Sequence, residues 1–343
     1  PLVSSSAASD VYKRQLNICK FENMIKVGIV GVGHLGEIHL KLILSSINFD
    51  LIGFYETNQE KSDLISKKYQ VKSFKSLEDL SENVQAVIIS TPTIHHHEIA
   101  TFFLKNNIHV FIEKPITTNV KEANELVQLA KDNNLVGQVG HVERFNGAFT
   151  EVENLLNPMF IEAHRLSNYP ARGTDVSVIL DLMIHDIDII LSIVKSKVSN
   201  VSANGTKIIS SSPDIANARI EFENGCVANL TASRISLKKM RKMRIFQSDS
   251  YVSIDFDKSK SEIVSIVDYD NNDKYAMTIH NSDGVEKEIK IKSLENLSKN
   301  SIIEEHNDFA YAINNKLKPK VTFETGKMAL ELAFIILRKI DSE

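Results

Sequence analysis

A chain of 343 residues is longer than one core of ordinary size encloses and points to two domains. Its 43% hydrophobic and 24% charged residues are the proportions of a soluble globular protein, and a net charge of -4 gives no bulk attraction to nucleic acid or an anionic membrane. Two cysteines, Cys19 and Cys226, exclude a disulfide framework or a cysteine zinc cluster. With no charged and apolar signal segment at the start, they point to a reducing compartment, the cytoplasm. No apolar run reaches the roughly 18 residues that span a bilayer. The longest candidate, Val176 to Val194, carries Asp181, His185, Asp186 and Asp188, and reads as a buried helix. Residues 1–23 are set aside as a non-native or disordered leader. Pro1 to Gln15 is rich in Ser and Ala without periodicity, and Met24 stands just before a strand signal as the expected native start.

Ile25 to Val30 is a short β-branched run, followed at once by Gly31-Val32-Gly33-His34-Leu35-Gly36. Apolar residues then recur at Leu35, Ile38 and Leu42, the helical spacing, so the order is strand, glycine turn, helix. Leu51 to Tyr55, Ala86 to Ser90, His109 to Ile112 and Val136 to Val139 are further strands, with helical stretches between them. Such alternation implies a parallel sheet covered on both faces over residues 24–145. From 146 to 343 the texture becomes α+β with a mostly antiparallel open sheet. Its strands are Phe160 to Leu166, Val198 to Ala203, Ala216 to Phe222, Cys226 to Ala232, a run through Ile245, Val252 to Phe256 and Ile263 to Val267. Asn224-Gly225 marks a hairpin. A closing amphipathic helix is expected over 325–338, with Ala329, Leu332, Ala333 and Ile336 on one side.

The glycine motif has a physical reading. Gly31 permits the tight turn, Gly33 lets backbone approach a pyrophosphate, Gly36 allows close helix–strand packing, and the N–H groups at the helix start face phosphate. Glu56 ends the second strand, roughly 20 residues on, where a carboxylate accepts hydrogen bonds from ribose hydroxyls and repels a 2′-phosphate. That favours NAD over NADP. A glycine turn without ligand, and a merely solvated Glu56, are the competing readings. His95-His96-His97 project in different directions on a helix, so they are read as a helix start beside the cofactor and no metal site is assigned. Glu113-Lys114-Pro115 ends another strand at the edge where ligands sit in such sheets. Lys114 there can hold a substrate hydroxyl or the nicotinamide ribose; an exposed strand-end lysine is the alternative. Asp181, His185 and Asp188 form a polar stripe on an apolar helix, and unpaired buried charge is costly. His185 reads as a general base near neutral pH, oriented by Asp181, against the plainer reading of a core histidine with capping aspartates.

Together, Gly31 to Gly36, Thr91-Pro92 with His96, Glu113-Lys114-Pro115, Gly140-His141 and Asp181-x-x-x-His185 resemble the Gfo/Idh/MocA family of sugar and cyclitol oxidoreductases, from Met24 to the C-terminus. The resemblance implies a Rossmann domain and a substrate domain that often forms a homodimer or homotetramer. It implies NAD contacts from Gly31, Gly33, His34, Leu35, Gly36, Glu56, Thr91, Pro92, His96, Glu113 and Lys114. It also implies that Lys114, Asp181 and His185 are catalytic, His185 taking the proton as hydride leaves carbon. His141-Val-Glu-Arg-Phe-Asn146, Arg172-Gly-Thr-Asp175 and Ala232-Ser-Arg-Ile-Ser236 further resemble the UDP-N-acetylglucosamine 3-dehydrogenase group, whose keto product is aminated for lipid A-type glycans. His141, Arg144, Asn146, Arg165, Arg172 and Arg234 are the expected substrate residues, the arginines as partners for a diphosphate. The basic run 238–244 could help, although it also reads as a solvated strand face. Three residues depart from the wider pattern: Met183 for glycine, Gly147 for proline and Thr93 for asparagine. Competing functions are oxidation of a free cyclitol or simple sugar, and a catalytically inactive NAD(P)-binding sensor or co-regulator. A nucleic-acid module is disfavoured by the acidic balance and sparse aromatics in the basic run.

Overall fold

The computed structural model describes residues 24–169, 176–248, 250–269, 277–280, 283–295 and 299–341. They form two compact units, one joining the chain up to Gly140 with Ile302–Phe323, the other His141–Ser301 with the residues from Glu324.

The first unit is built on six parallel strands, β1 (Ile25–Val30), β2 (Phe49–Tyr55), β3 (Ser73–Phe74), β4 (Ala86–Ile89), β5 (His109–Glu113) and β6 (Gly137–Gly140), in the order β3-β2-β1-β4-β5-β6. β4 is buried along its whole length and β1 at all but Lys26, because helices cover both faces and no face is left for polar side chains. The crossovers carry α1 (His34–Ile43), α2 (Gln59–Tyr69), α3 (Leu77–Ser81), α4 (His96–Lys105) and α5 (Val120–Asp132). Asn58, Ser76 and Asn119 cap α2, α3 and α5 by accepting backbone N–H bonds, whereas no side chain caps α1.

The sequence placed residues 146–343 in a single second domain, and the structure corrects this. A helix absent from that reading, α7 (Ser301–Asn315, numbered after α6 of the second unit, Ile184–Ile193), packs Phe309, Ala310 and Ala312 into the core of the first unit. Phe309 stacks on Phe49 at 6.2 Å and meets the edge of Phe111 at 5.9 Å. The chain then runs past β6, where Val139 N–H donates to Val321 O and Thr322 bridges Gln138. This covers the sheet edge. Period-2 and period-3.6 patterns report burial but not the partner, so the return of α7 leaves no local signal.

Among the described residues the second unit holds nine strands, β7 (Phe160–Leu166), β8 (Val198–Thr206), β9 (Ile215–Phe222), β10 (Val227–Ser233), β11 (Met240–Phe246), β12 (Ser250–Asp255), β13 (Lys260–Asp268), β14 (Met277–His280) and β15 (Glu286–Leu294). Their order is β14-β15-β13-β12-β11-β7-β10-β9-β8. Pairing is antiparallel except between β7 and β10, which run parallel. β7 and β9 alternate buried and more exposed residues, the signature of a sheet with one face on a core. Asn224-Gly225 makes the β9–β10 turn, Gly225 adopting φ +85°, where a side chain would be strained. β15 carries many charged residues, and neither it nor β14 was expected. α8 (Phe323–Asp341) closes the unit, burying Ala329, Leu332, Ala333 and Ile336 as its spacing indicated. Among the described residues no helix is long and apolar enough to cross a membrane.

α1 lies so close to the glycine turn that a Cβ on Gly36 would stand 2.0 Å from Gly31 O. Gly36→Ala is therefore expected to destabilise the chain by about 3 kcal/mol, since backbone rather than a flexible side chain must move. Chemical denaturation checks this; a wild-type midpoint would show that α1 shifts without cost.

Candidate active site

The first unit gathers a set of groups at the carboxyl ends of β1, β2, β4 and β5. Gly31 turns with φ +83°, and Thr91 and Ser90 leave no room for a side chain on it. At Gly33, by contrast, a Cβ would find only Lys61 Nζ, at 3.8 Å. Nothing within the protein requires glycine at 33, which is what a backbone face kept open for a ligand looks like. His34 and Leu35, exposed, begin the uncapped α1, whose first N–H groups have no partner within the helix. Beside them the hydroxyls of Ser90 and Thr91 are buried without a hydrogen-bond partner. Pro92 follows, exposed.

Glu56 continues from β2. Its carboxylate accepts the N–H of Val32 and of Asn58, each at 3.1 Å, and lies 3.7 Å from Lys61 Nζ. Burial alone would raise its pKa, but the N–H groups of Asn58 and Val32 together with Lys61 outweigh that and hold it below the ordinary value, so it is ionised at neutral pH. An open glycine face, an uncapped helix start, two orphan hydroxyls and a fixed carboxylate fit a dinucleotide.

Two residues expected at the cofactor turn inward instead. His96 is buried, with Nδ1 2.9 Å from Pro115 O and Nε2 2.9 Å from Thr91 O. Burial lowers its pKa despite those carbonyls. Its ring sits between the turn after β4 and the turn after β5, with a carbonyl oxygen facing each nitrogen. Glu113 is also buried, its Oε1 2.8 Å from His39 Nε2 and its Oε2 accepting the N–H of Lys114 at 3.2 Å. Lys114 is partly exposed, and its bond to Pro115 is cis. Of the neighbouring histidines, His95 is exposed and His97 pairs with Glu125 at 2.9 Å. Among the described residues no group of His, Cys, Asp and Glu could hold a metal.

In the second unit the expected helix 176–194 is not uniform. Ile179–Met183 forms a π-turn before α6, a wider winding often found at functional sites. Asp181 and His185 are partly exposed while Ile184, Ile187, Ile189 and Ile190 are fully buried. The ring of His141, buried beside them, meets the ring of His185 edge-on at 6.1 Å. The third member of the expected stripe, Asp188, is buried 3.5 Å from Arg144 and belongs to the core.

The arginines and Asn146 of the sequence reading have partners within the protein. Arg165 donates to both oxygens of Asp186, at 3.0 and 2.8 Å, and to Glu143 at 2.8 Å. Burial alone would lower its pKa, but the charges of Asp186 and Glu143 raise it further. Arg144 faces Asp188 and Glu153. Arg234, wholly buried, donates to Asp214 Oδ1 at 2.8 Å, to Val176 O at 2.5 Å and to Ser212 at 3.0 Å. Asn146 donates to Glu143 and Phe256 O and caps Ala148 N–H. Arg165 and Arg234 are hydrogen-bonded to internal carboxylates, whereas Arg144 lies 3.5 Å from Asp188 with its buried Nε unpartnered. Arg172 lies outside the described residues. Glu143, Asp214, His39 and His306 were missed; the only signal for them was that a buried cation or imidazole requires an internal partner.

This fold has known counterparts. Residues 25–141 match the oxidoreductase family with an NAD-binding Rossmann fold, Gfo/Idh/MocA, and residues 128–253 match the Gfo/Idh/MocA C-terminal domain. A UDP-N-acetylglucosamine 3-dehydrogenase of Acidithiobacillus ferrooxidans is 35% identical over 234 residues, covering 68% of this chain and 74% of that one. A crystal form of the enzyme from that organism superposes with a TM-score of 0.84 at 28% identity, over 93% of this chain and 98% of the other. The scyllo-inositol dehydrogenase of Lactobacillus casei with bound NAD(H) and scyllo-inositol shares the fold at a TM-score of 0.73 and 21% identity, over 93% and 97%. The chain belongs to the Gfo/Idh/MocA family of oxidoreductases.

Asp214 Oδ2 accepts the N–H groups of Ile208, Ile209 and Ser210 at 2.7–2.9 Å while Oδ1 meets Arg234. Burial opposes ionisation, yet those N–H groups and Arg234 hold its pKa well below the ordinary carboxylate value. Arg234→Ala is expected to cost about 3–5 kcal/mol in urea denaturation, by leaving a buried carboxylate unpaired. A depressed pKa stabilises the fold fully above about pH 4 and loses that contribution as pH falls through the folded value. The wild type should therefore weaken more steeply than Asp214→Asn below pH 4; parallel curves would refute the assignment.

Proposed function

We propose that the chain oxidises a sugar hydroxyl to a ketone with NAD, and that the substrate is UDP-N-acetylglucosamine or a related UDP-sugar attacked at the 3-hydroxyl. The observation that carries the reading is the pair Asp181 and His185, partly exposed on a helix whose isoleucines are buried, with His141 against the ring of His185. The substrate class is supported by the 35% identity to a UDP-N-acetylglucosamine 3-dehydrogenase. Bound NAD would accept the hydride from the substrate carbon. His185 takes the proton from the hydroxyl oxygen, Asp181 orients the imidazole, and the Lys114 ammonium holds the oxygen as negative charge grows on it. Gly31, Gly33 and the first turn of α1 hold the pyrophosphate, and Glu56 accepts from the adenosine ribose and repels a 2′-phosphate. Since Arg144, Arg165 and Arg234 face internal carboxylates, the exposed Lys238 and Lys239 are the proposed partners of the substrate diphosphate.

Lys114→Ala and His185→Ala should each lower kcat at least about 1000-fold with NAD binding kept, measured as NADH formation with UDP-N-acetylglucosamine and a coupled aminotransferase. A wild-type rate in either variant removes that residue from the chemistry. Turnover of myo-inositol but not of the sugar nucleotide would keep the reaction and discard the substrate. Glu56→Ala should lower the kcat/KM ratio for NAD over NADP about tenfold or more, one lost charge-assisted contact being worth about 1.5 kcal/mol. An unchanged ratio sinks the ribose assignment.

A further inference from the structure

Behind Lys114 the first unit buries a chain of three titratable groups that the proposed chemistry does not use. His39 on α1 is fully buried, with Nε2 2.8 Å from Glu113 Oε1 and Nδ1 2.8 Å from His306 Nε2 on α7. The imidazoles are confined by rings: Phe111 stands edge-on to His39 at 5.6 Å and to His306 at 6.2 Å, and Phe49 edge-on to His306 at 6.5 Å. The remaining oxygen of Glu113 accepts the Lys114 N–H. Gly140 leaves space for this carboxylate, since a Cβ there would lie 2.9 Å from Glu113 Oε2.

We infer that Glu113, braced by His39 and His306, is a positioning residue that fixes the backbone of Lys114 relative to α1 and the glycine turn. The inference rests on the reading of Lys114 as a catalytic group. His39 and Lys114 N–H meet different oxygens of Glu113, Oε1 and Oε2, and an amide would put a donating NH2 in place of one of them. His306 is held neutral by burial and by His39 beside it. His39 can therefore turn neither nitrogen away from its partner without leaving a buried polar atom unmade, which costs about 1–3 kcal/mol. α7 reaches this site from the far end of the sequence, so the position of a lysine just past β5 is set by a histidine nearly two hundred residues later.

Glu113→Gln keeps the volume and removes the second acceptor. In the full chain it should lower kcat about 30–100-fold, with the NAD dissociation constant within about threefold of wild type, because displacement of a reacting group by about 1 Å costs rate on this scale. In the same variant without substrate, amide hydrogen exchange at Lys114 should rise at least about tenfold while exchange in β1 and β4 stays as in wild type. Unchanged exchange at Lys114, or a rise shared equally by β1 and β4, overturns the inference, the latter by showing a general loosening. An inactive Lys114→Ala beside a Glu113→Gln of wild-type kcat overturns it alone. An active Lys114→Ala overturns instead the catalytic reading on which it rests.

Discussion

Arg165 lies out of water with its guanidinium across both oxygens of Asp186 and against Glu143, and the constraint it obeys recurs through the chain. A charge removed from water is tolerated only when its partner is removed with it. Arg234 with Asp214 and Arg144 with Asp188 follow the same rule. Each pair joins segments distant in sequence, so each fixes a relation between elements that hydrophobic burial alone leaves adjustable.

Arg234 illustrates how that reaches the site. Its donors go to Asp214, Ser212 and Val176 O, and Pro213 O accepts the N–H of Val178. The entry to the π-turn that carries Asp181 is thus held by an ion pair on the neighbouring strands. Where Asp181 stands depends on an ion pair inside the protein. The first unit uses the same device at the far end of β5, where Glu113 holds the amide of Lys114 and His96 spans the carbonyls of Thr91 and Pro115.

The glycines complete the picture from the other direction. Gly36 is glycine because backbone would collide with anything larger, Gly31 because of its turn, and Gly33 for neither reason, its open face being the part a ligand would fill. Close packing and an open cradle are opposite demands, and six residues meet both because a helix start presents its N–H groups without needing side chains.

The chain's own pattern was enough for the parallel sheet, its glycine turn, the hairpin at Asn224-Gly225 and the buried face of α8, since local spacing and backbone freedom dictate each of these. It also marked Lys114, Asp181 and His185 as the candidates on which the proposal rests, because polar groups on apolar elements stand out by composition. What only the tertiary structure decided was partnership. Arg144, Arg165, Arg234 and Asn146 read as ligands for a substrate because a sequence shows a cation but not the carboxylate that folds against it. For the same reason His306 and the return of α7 to the first unit were invisible: the energy that places them comes from long-range burial and pairing, and neither leaves a period in the sequence.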